Sequence, residues 1–223
     1  MGVKAGPRIV QNGLILDVDA AVSRSYPGSG TSWLDISQSR FNLVVRNSPT
    51  FVSANPSNYF TLNGSNQDFY LASYGPTFTS ATFNLWVWRN GTQSGFDGLV
   101  SNISRSGFIY DQNGTSFSYI WNDDVNTYSY SSGVNSANQT WAMATLTISP
   151  TEAKWYLNGI LQHTKVHGHS STSISNLNIG SDLADLGANR FYNGRIAMVQ
   201  IYNRDLSSTE VLQNYNATKG RYI

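Results

Sequence analysis

The chain has 223 residues, of which 40% are hydrophobic, 13% aromatic and 12% charged, with a formal net charge of +1 and no cysteine. That hydrophobic share excludes a disordered chain, the near-neutral charge excludes a basic footprint for nucleic acid or a polybasic membrane patch, and the missing cysteine excludes disulfides, zinc-thiolate clusters and thiol nucleophiles. No apolar run approaches a membrane span, and MGVKAGPRIVQNGLIL lacks the apolar core of a signal peptide, so the expectation is synthesis in the cytoplasm without export.

Residues 1–12 read as an N-terminal arm leading into one domain over 1–223. Leu14, Leu16 and Val18 alternate with Ile15, Asp17 and Asp19 as in a strand entering a sandwich, and SYPGSGTSW from Ser25 is a loop. A short strand is expected at Phe41 to Arg46. Tyr59 to Leu62 and Phe69 to Ala72 flank Asn63-Gly64, a pair suited to a tight reversal. From Thr82 to Trp88, Phe83, Leu85 and Val87 share one face and Asn84, Trp86 and Trp88 the other, which suits a central strand. Further strands are expected at Gly98 to Asn102, Gly107 to Asp111, Ser116 to Trp121, Thr127 to Ser131, Trp141 to Ile148, Ala153 to Leu157, Ile160 to Val166, Asn176 to Ile179 and Arg195 to Asn203. Ser207 and Glu210 make an S-x-x-E capping box for one amphipathic helix, 207–219, with Val211, Leu212 and Tyr215 as its apolar stripe. Many short strands and one late helix predict an all-β sandwich of two antiparallel sheets.

The segment from Phe191 to Glu210 resembles the last strand of laminin-G-like, concanavalin A-like jelly rolls, F-x-G-x-I-D-x-V-x-I-Y-N-R-x-L-S-x-x-E. Phe191, Gly194, Ile196, Val199, Ile201, Tyr202, Asn203, Arg204, Leu206, Ser207 and Glu210 fall into its register. Trp33, Asp35 and Ser37 resemble the family's early W-x-D-x-S segment, and Trp155 to Gly159 its K-x-Y-x-N-G hairpin. Ala197 stands where the family often carries an aspartate, so no role of that carboxylate transfers.

Some relatives implied by this resemblance are glycosidases, which need two carboxyls a short distance apart. The chain has two glutamates: Glu210 caps the helix, and Glu152 has no acidic neighbour. Asp123 and Asp124 are adjacent and would point to opposite faces of a strand. No nucleophile elbow accompanies His163, His167 and His169. These features predict a protein that is not an enzyme.

For a saccharide, aromatic faces and planar polar groups are needed together. The stretch YIWNDDVNTYSYSS is the densest in both, giving Trp121, Asn122, Asp123, Asp124, Asn126, Tyr128 and Tyr130 as candidate glycan or subunit contacts. The alternative is that Trp121 and the tyrosines pack in the sandwich. Trp86, Trp88, Trp141 and Trp155 lie on strong strands and read as core. The family resemblance also raises calcium, for which Asp97, Asp123, Asp124, Asp182 and Asp185 are the oxygen donors, although no D-x-D-x-D-G loop occurs. His167 and His169 would face one side in extended backbone, but no third metal ligand is evident.

MGVKAGPRIVQNGLILDVDA, SYPGSGTSWLDIS, IYNRDLS and NATKGRY together resemble jelly-roll structural proteins of tailed, especially marine, bacteriophages. That resemblance implies a virion protein displayed on the particle surface, as capsid decoration or part of the tail, with other virion proteins or itself as partners. A host-surface glycan is the expected further partner, and a cellular lectin-like module the alternative.

Overall fold

The computed structural model describes residues 7–103, 105–182 and 190–223. In chain order the first elements are β1 (Leu14–Asp19), β2 (Ser32–Trp33), β3 (Leu43–Arg46), β4 (Thr50–Val52), β5 (Tyr59–Asn63), β6 (Asp68–Leu71) and β7 (Thr77–Phe78). Next come β8 (Ala81–Arg89), β9 (Gly98–Asn102), β10 (Gly107–Tyr110), β11 (Phe117–Ile120) and a four-residue helix, α1 (Val125–Tyr128). The chain then forms β12 (Trp141–Ile148), β13 (Glu152–Leu157), β14 (Ile160–Val166), β15 (Thr172–Ser173), β16 (Leu177–Ile179) and β17 (Asn193–Tyr202). It closes with α2 (Ser208–Thr218) and a 3-10 turn.

One sheet has the order β14-β13-β12-β8-β17-β5-β4, with β1 also paired to β17, and the other the order β11-β10-β9-β16-β6-β3-β2. All pairings between named strands are antiparallel among the described residues, as the sequence led one to expect. β17 serves two partners along one side, β5 at Asn193 to Ile196 and β1 at Met198 to Tyr202. An irregularity beside Ala197 marks the hand-over.

Alternation decides what each face meets. Phe83, Leu85 and Val87 of β8 join Trp33, Phe60, Phe69, Phe108, Phe117, Tyr119 and Trp155 between the sheets. Trp86 points the other way and forms a second core with Met143, Tyr156, Met198, Tyr202 and Val211 beneath α2. Around Trp86 the eight-stranded sheet is therefore covered on both faces, and α2 is what covers the outer one there.

The capping box at Ser207 and Glu210 forms as expected. The stripe differs from the expected one: Val211 is buried, Tyr215 is half-buried and Leu212 is exposed. Polar side chains replace it. The Trp86 indole N–H donates to Thr218 Oγ1 (2.8 Å), Asn214 Nδ2 donates to the Tyr202 hydroxyl (3.0 Å), and the arm's Val10 N–H donates to Asn214 Oδ1 (2.8 Å). The helix docks through hydrogen bonds that its hydropathy does not reveal.

A polar row also crosses the eight-stranded sheet. Thr145, Asn84, Gln200 and Asp17 stand directly opposite one another on β12, β8, β17 and β1. Thr145 Oγ1 donates to Asn84 Oδ1 (2.5 Å), Asn84 Nδ2 to Gln200 Oε1 (2.9 Å), and Gln200 Nε2 to Asp17 Oδ1 (3.2 Å).

The expected strand at Thr127 to Ser131 is absent. Asp124 accepts from the Asn126 amide (2.9 Å) and starts the helical turn α1 instead, because a carboxylate two residues ahead outcompetes the β preference of Thr127 and Tyr128.

Candidate functional site

Among the described residues the outer face of the seven-stranded sheet carries no long helix. At one end Ile109 of β10 and Ile120 of β11 point outward, opposite in sense to Phe108 and Tyr119 of the core, and floor a pocket of about 220 Å³. Phe96, Arg105, Tyr128, Asp182 and Arg190 line it with them. The Phe96 and Tyr128 rings meet edge to face at 6.3 Å. Arg190 lies 4.8 Å above the Phe96 ring and donates to Asp182 (3.2 Å), while Arg105 donates to Asp123 (2.9 Å).

The backbone around this pocket is held in an uncommon conformation. Phe96, Arg105, Asn122 and Asp123 have φ of +57°, +53°, +52° and +56°. For a bulky residue such as Phe96 the left-handed region is costly, of order 1–3 kcal/mol. It persists because its surroundings fix it: the Phe96 N–H donates to Asp111 O (3.0 Å), and Gly95 sits so close to Gln112 that a Cβ would lie 2.2 Å from the Gln112 oxygen. The Asp123 N–H donates to Arg105 O (3.0 Å), locking the two strained loops together.

Next to Phe96 in the chain, Asp97 is buried. One carboxylate oxygen accepts from the Ser94 N–H (2.7 Å), and the other has no partner among the described residues. Burial pushes Asp97 up to about 7, against the Ser94 hydrogen bond and Arg190, with Asp182 adding to the rise.

The same face continues away from the pocket as Ser101, Asn178, Tyr70 and Val44, opposite one another on β9, β16, β6 and β3. Arg46 stacks 4.5 Å over Tyr70, forks onto Asp68 (Nε to Oδ1, 2.7 Å) and reaches Asn178 Oδ1 (3.1 Å).

The predicted stretch from Trp121 to Tyr130 is divided. Trp121 is 1% exposed in the core between the sheets, and its indole N–H donates to Ser170 O (2.7 Å), so its ring offers no platform. Asn122 is exposed and donates to Ser170 Oγ (2.9 Å). Asp124 accepts from His167 (2.7 Å), and that hydrogen bond leads in holding its carboxyl below the usual range. Asn126 is exposed, and its carbonyl accepts from the Lys165 ammonium. Tyr130 leans on Trp155 and lies at hydrogen-bond distance from His163 (2.5 Å). Tyr128 alone of the seven lines the pocket, with Asp123 joined to it through Arg105. The expectation that Trp88 and Trp141 are core is corrected: both are half-buried on the outer face of the other sheet, whereas Trp86 and Trp155 are fully buried.

Of the suggested calcium donors, Asp185 lies outside the described residues. Asp182 and Asp123 are occupied by Arg190 and Arg105, guanidinium groups that already supply the positive charge a calcium ion would bring. Among the described residues no three His, Asp or Glu side chains converge to hold a metal ion. His169 has both ring nitrogens engaged, Nδ1 with Ser149 O (2.7 Å) and Nε2 with the Tyr119 hydroxyl (2.8 Å).

Phe96, Arg105 and Arg190 were not evident from the sequence, because they sit on loops where no periodicity marks a face. The turn-rich SGFDG around Phe96 was the available signal.

Residues 57–212 match the laminin-G-type family of the concanavalin A-like lectin/glucanases superfamily, and the chain belongs to it. Comparison with curated protein sequences gives no match. Among solved structures, the chain resembles domain 4 of a GH43 extracellular arabinanase from Geobacillus stearothermophilus in complex with arabinotriose. The TM-score is 0.68 at 11% identity, covering 92% of this chain and 100% of that one. It also resembles Trypanosoma rangeli sialidase in complex with the inhibitor DANA (TM-score 0.67, 16% identity), covering 99% of this chain but 36% of the sialidase. A third is the botulinum neurotoxin serotype D ligand binding domain in complex with N-acetylneuraminic acid (TM-score 0.65, 16% identity, 94% of this chain, 52% of that chain). At these identities the likeness is one of fold.

Proposed function

We propose that this protein is a non-catalytic carbohydrate-binding jelly roll that takes a saccharide in the pocket of Phe96, Arg105, Tyr128 and Arg190. The strained backbone carries the reading: Phe96 and Arg105, which line the pocket, and Asn122 and Asp123, tied to it through Arg105, all have positive φ and are retained at an energetic cost. The lining suits the ligand class. Phe96 and Tyr128 offer ring surface for the apolar side of a pyranose, and the paired guanidinium and carboxylate groups offer planar partners for its hydroxyls. Two of the structures that share the fold contain a saccharide, which favours the same class.

Hydrolysis is not part of this proposal. Glu210 is engaged by Arg204 and the Ser207 cap, Glu152 by Lys154, and Asp97, whose raised pKa would suit an acid, is buried away from solvent. The proposed setting is the surface of a virion, on the strength of the sequence resemblance to tailed-phage structural proteins, with virion proteins or further copies as neighbours. A glycan array followed by calorimetry tests the binding role: Tyr128→Ala and Phe96→Gly should weaken binding without lowering the melting temperature much. Unchanged affinity in both variants would remove the pocket from the proposal. Release of reducing sugar that Asp97→Asn abolished would replace binding by catalysis, and mass spectrometry of purified particles tests the setting.

A further inference from the structure

On the opposite sheet, at the end that α2 does not reach, Arg195 of β17 stands directly across from Trp88 of β8 and Thr61 of β5. Its guanidinium lies 3.9 Å from the centroid of the Trp88 ring and 4.8 Å from that of Tyr59. Trp141 extends the row beyond Trp88 and packs edge to face on Tyr59 at 5.5 Å. All four side chains are half-buried, so each keeps an edge toward solvent.

Arg195 has no hydrogen-bond acceptor and no ion-pair partner among the described residues, although Arg46, Arg105, Arg190, Arg204 and Arg221 each hold a carboxylate. Its row neighbours, Trp141, Trp88, Thr61 and Thr50, are uncharged. A guanidinium held against two rings loses little further freedom on binding, and its N–H groups have no acceptor among the described residues.

We propose that Arg195, Trp88, Tyr59 and Trp141 form a second saccharide site, one for a sugar bearing a carboxylate. The shape of the slot selects the ligand group. The Trp88 and Tyr59 rings hold the guanidinium at 3.9 and 4.8 Å from their centroids, and a carboxylate is planar and matches its fork with two parallel hydrogen bonds. Trp141, beside the slot, gives the rest of the pyranose an apolar surface. The site stands on observations independent of the Phe96 pocket.

The test is calorimetry in low-salt buffer with hexagalacturonate, its methyl ester and a sulfated hexasaccharide. Hexagalacturonate should bind, the methyl ester should lose roughly 10- to 100-fold, and Arg195→Gln should lose as much. Arg195→Lys keeps the charge but not the fork, and should recover only a small part. It also serves as the folded control should the glutamine variant melt early. Binding of a neutral saccharide at the Phe96 pocket should be unchanged in Arg195→Gln, which separates this site from the pocket. Equal affinity for acid and ester, stronger binding of the sulfated sugar, unchanged hexagalacturonate affinity in the Arg195 variants, or loss of neutral-saccharide binding in Arg195→Gln would each overturn the assignment.

Discussion

Trp121 fills the space between the β11 edge of one sheet and the loop before β15, with its indole N–H spent on Ser170. Truncation to alanine removes that hydrogen bond and opens a cavity, so Trp121→Ala should cost about 3–5 kcal/mol, read as a fall in the denaturation midpoint. Glycan binding at temperatures where the variant stays folded should persist. Asp17 gives a second prediction at this scale. Burial raises it from 3.8 to about 7, so the native state prefers its protonated form. The stability associated with that proton is complete below pH 3.8 and is lost as pH rises toward and through 7. Asp17→Asn keeps an oxygen for Gln200 and cannot ionise. The melting temperature of the variant minus that of the wild type should therefore increase from pH 4 to pH 8, by the equivalent of a few kcal/mol at most. A difference that stays flat across that range would show that Asp17 is not titrating in the fold. Neither property was legible in the sequence, where Asp17 is an alternating polar residue and Trp121 an aromatic beside two aspartates: burial depends on what the other sheet brings to each position.

Among the elements, those whose signal is local were readable. β12 and β14 have the bounds that their apolar runs suggest, and α2 starts at its capping box. Elements defined by partners rather than by pattern were not: β2, β4, β7 and β15 are two or three residues long and exist because a neighbour pairs with them. α2 itself shows both cases, since its start follows from Ser207 and Glu210 while its buried face includes Asn214 and Thr218. Ser207→Ala should destabilise the protein by about 1 kcal/mol, the usual worth of an N-cap. Asn214→Leu should cost more despite its greater hydropathy, because in a buried setting the Val10 amide would lose its acceptor and the Tyr202 hydroxyl one of its two hydrogen bonds. Urea unfolding of the two variants checks the order, and a stabilised Asn214→Leu would contradict it.

Across the whole molecule the two faces have different work. α2 and the arm seal the eight-stranded sheet around Trp86 and leave the seven-stranded sheet facing outward. Removing residues 207–223 should therefore uncover Trp86, Met143 and Tyr202 together. The expected result is binding of a hydrophobic dye and loss of the sharp melting transition, whereas an unchanged transition would mean that the second core is dispensable. The sandwich and the family could be read from order along the chain. The pocket could not, because Phe96, Tyr128 and Arg190 come from three segments distant in sequence that only the folded chain brings together.

The row of Thr145, Asn84, Gln200 and Asp17 has a bearing on how these strands find one another. In a sheet a slip of one residue turns every side chain to the opposite face. Here such a slip on any of the four strands would drive an amide, hydroxyl or carboxyl group into the aromatic layer between the sheets with nothing to bond, at about 1–3 kcal/mol for each group. The row thus acts as a proofreading mark. It rejects the many near-matching alignments that Val, Leu, Ile and Thr alone would tolerate, in a chain with too few surface charges to keep mispaired copies apart.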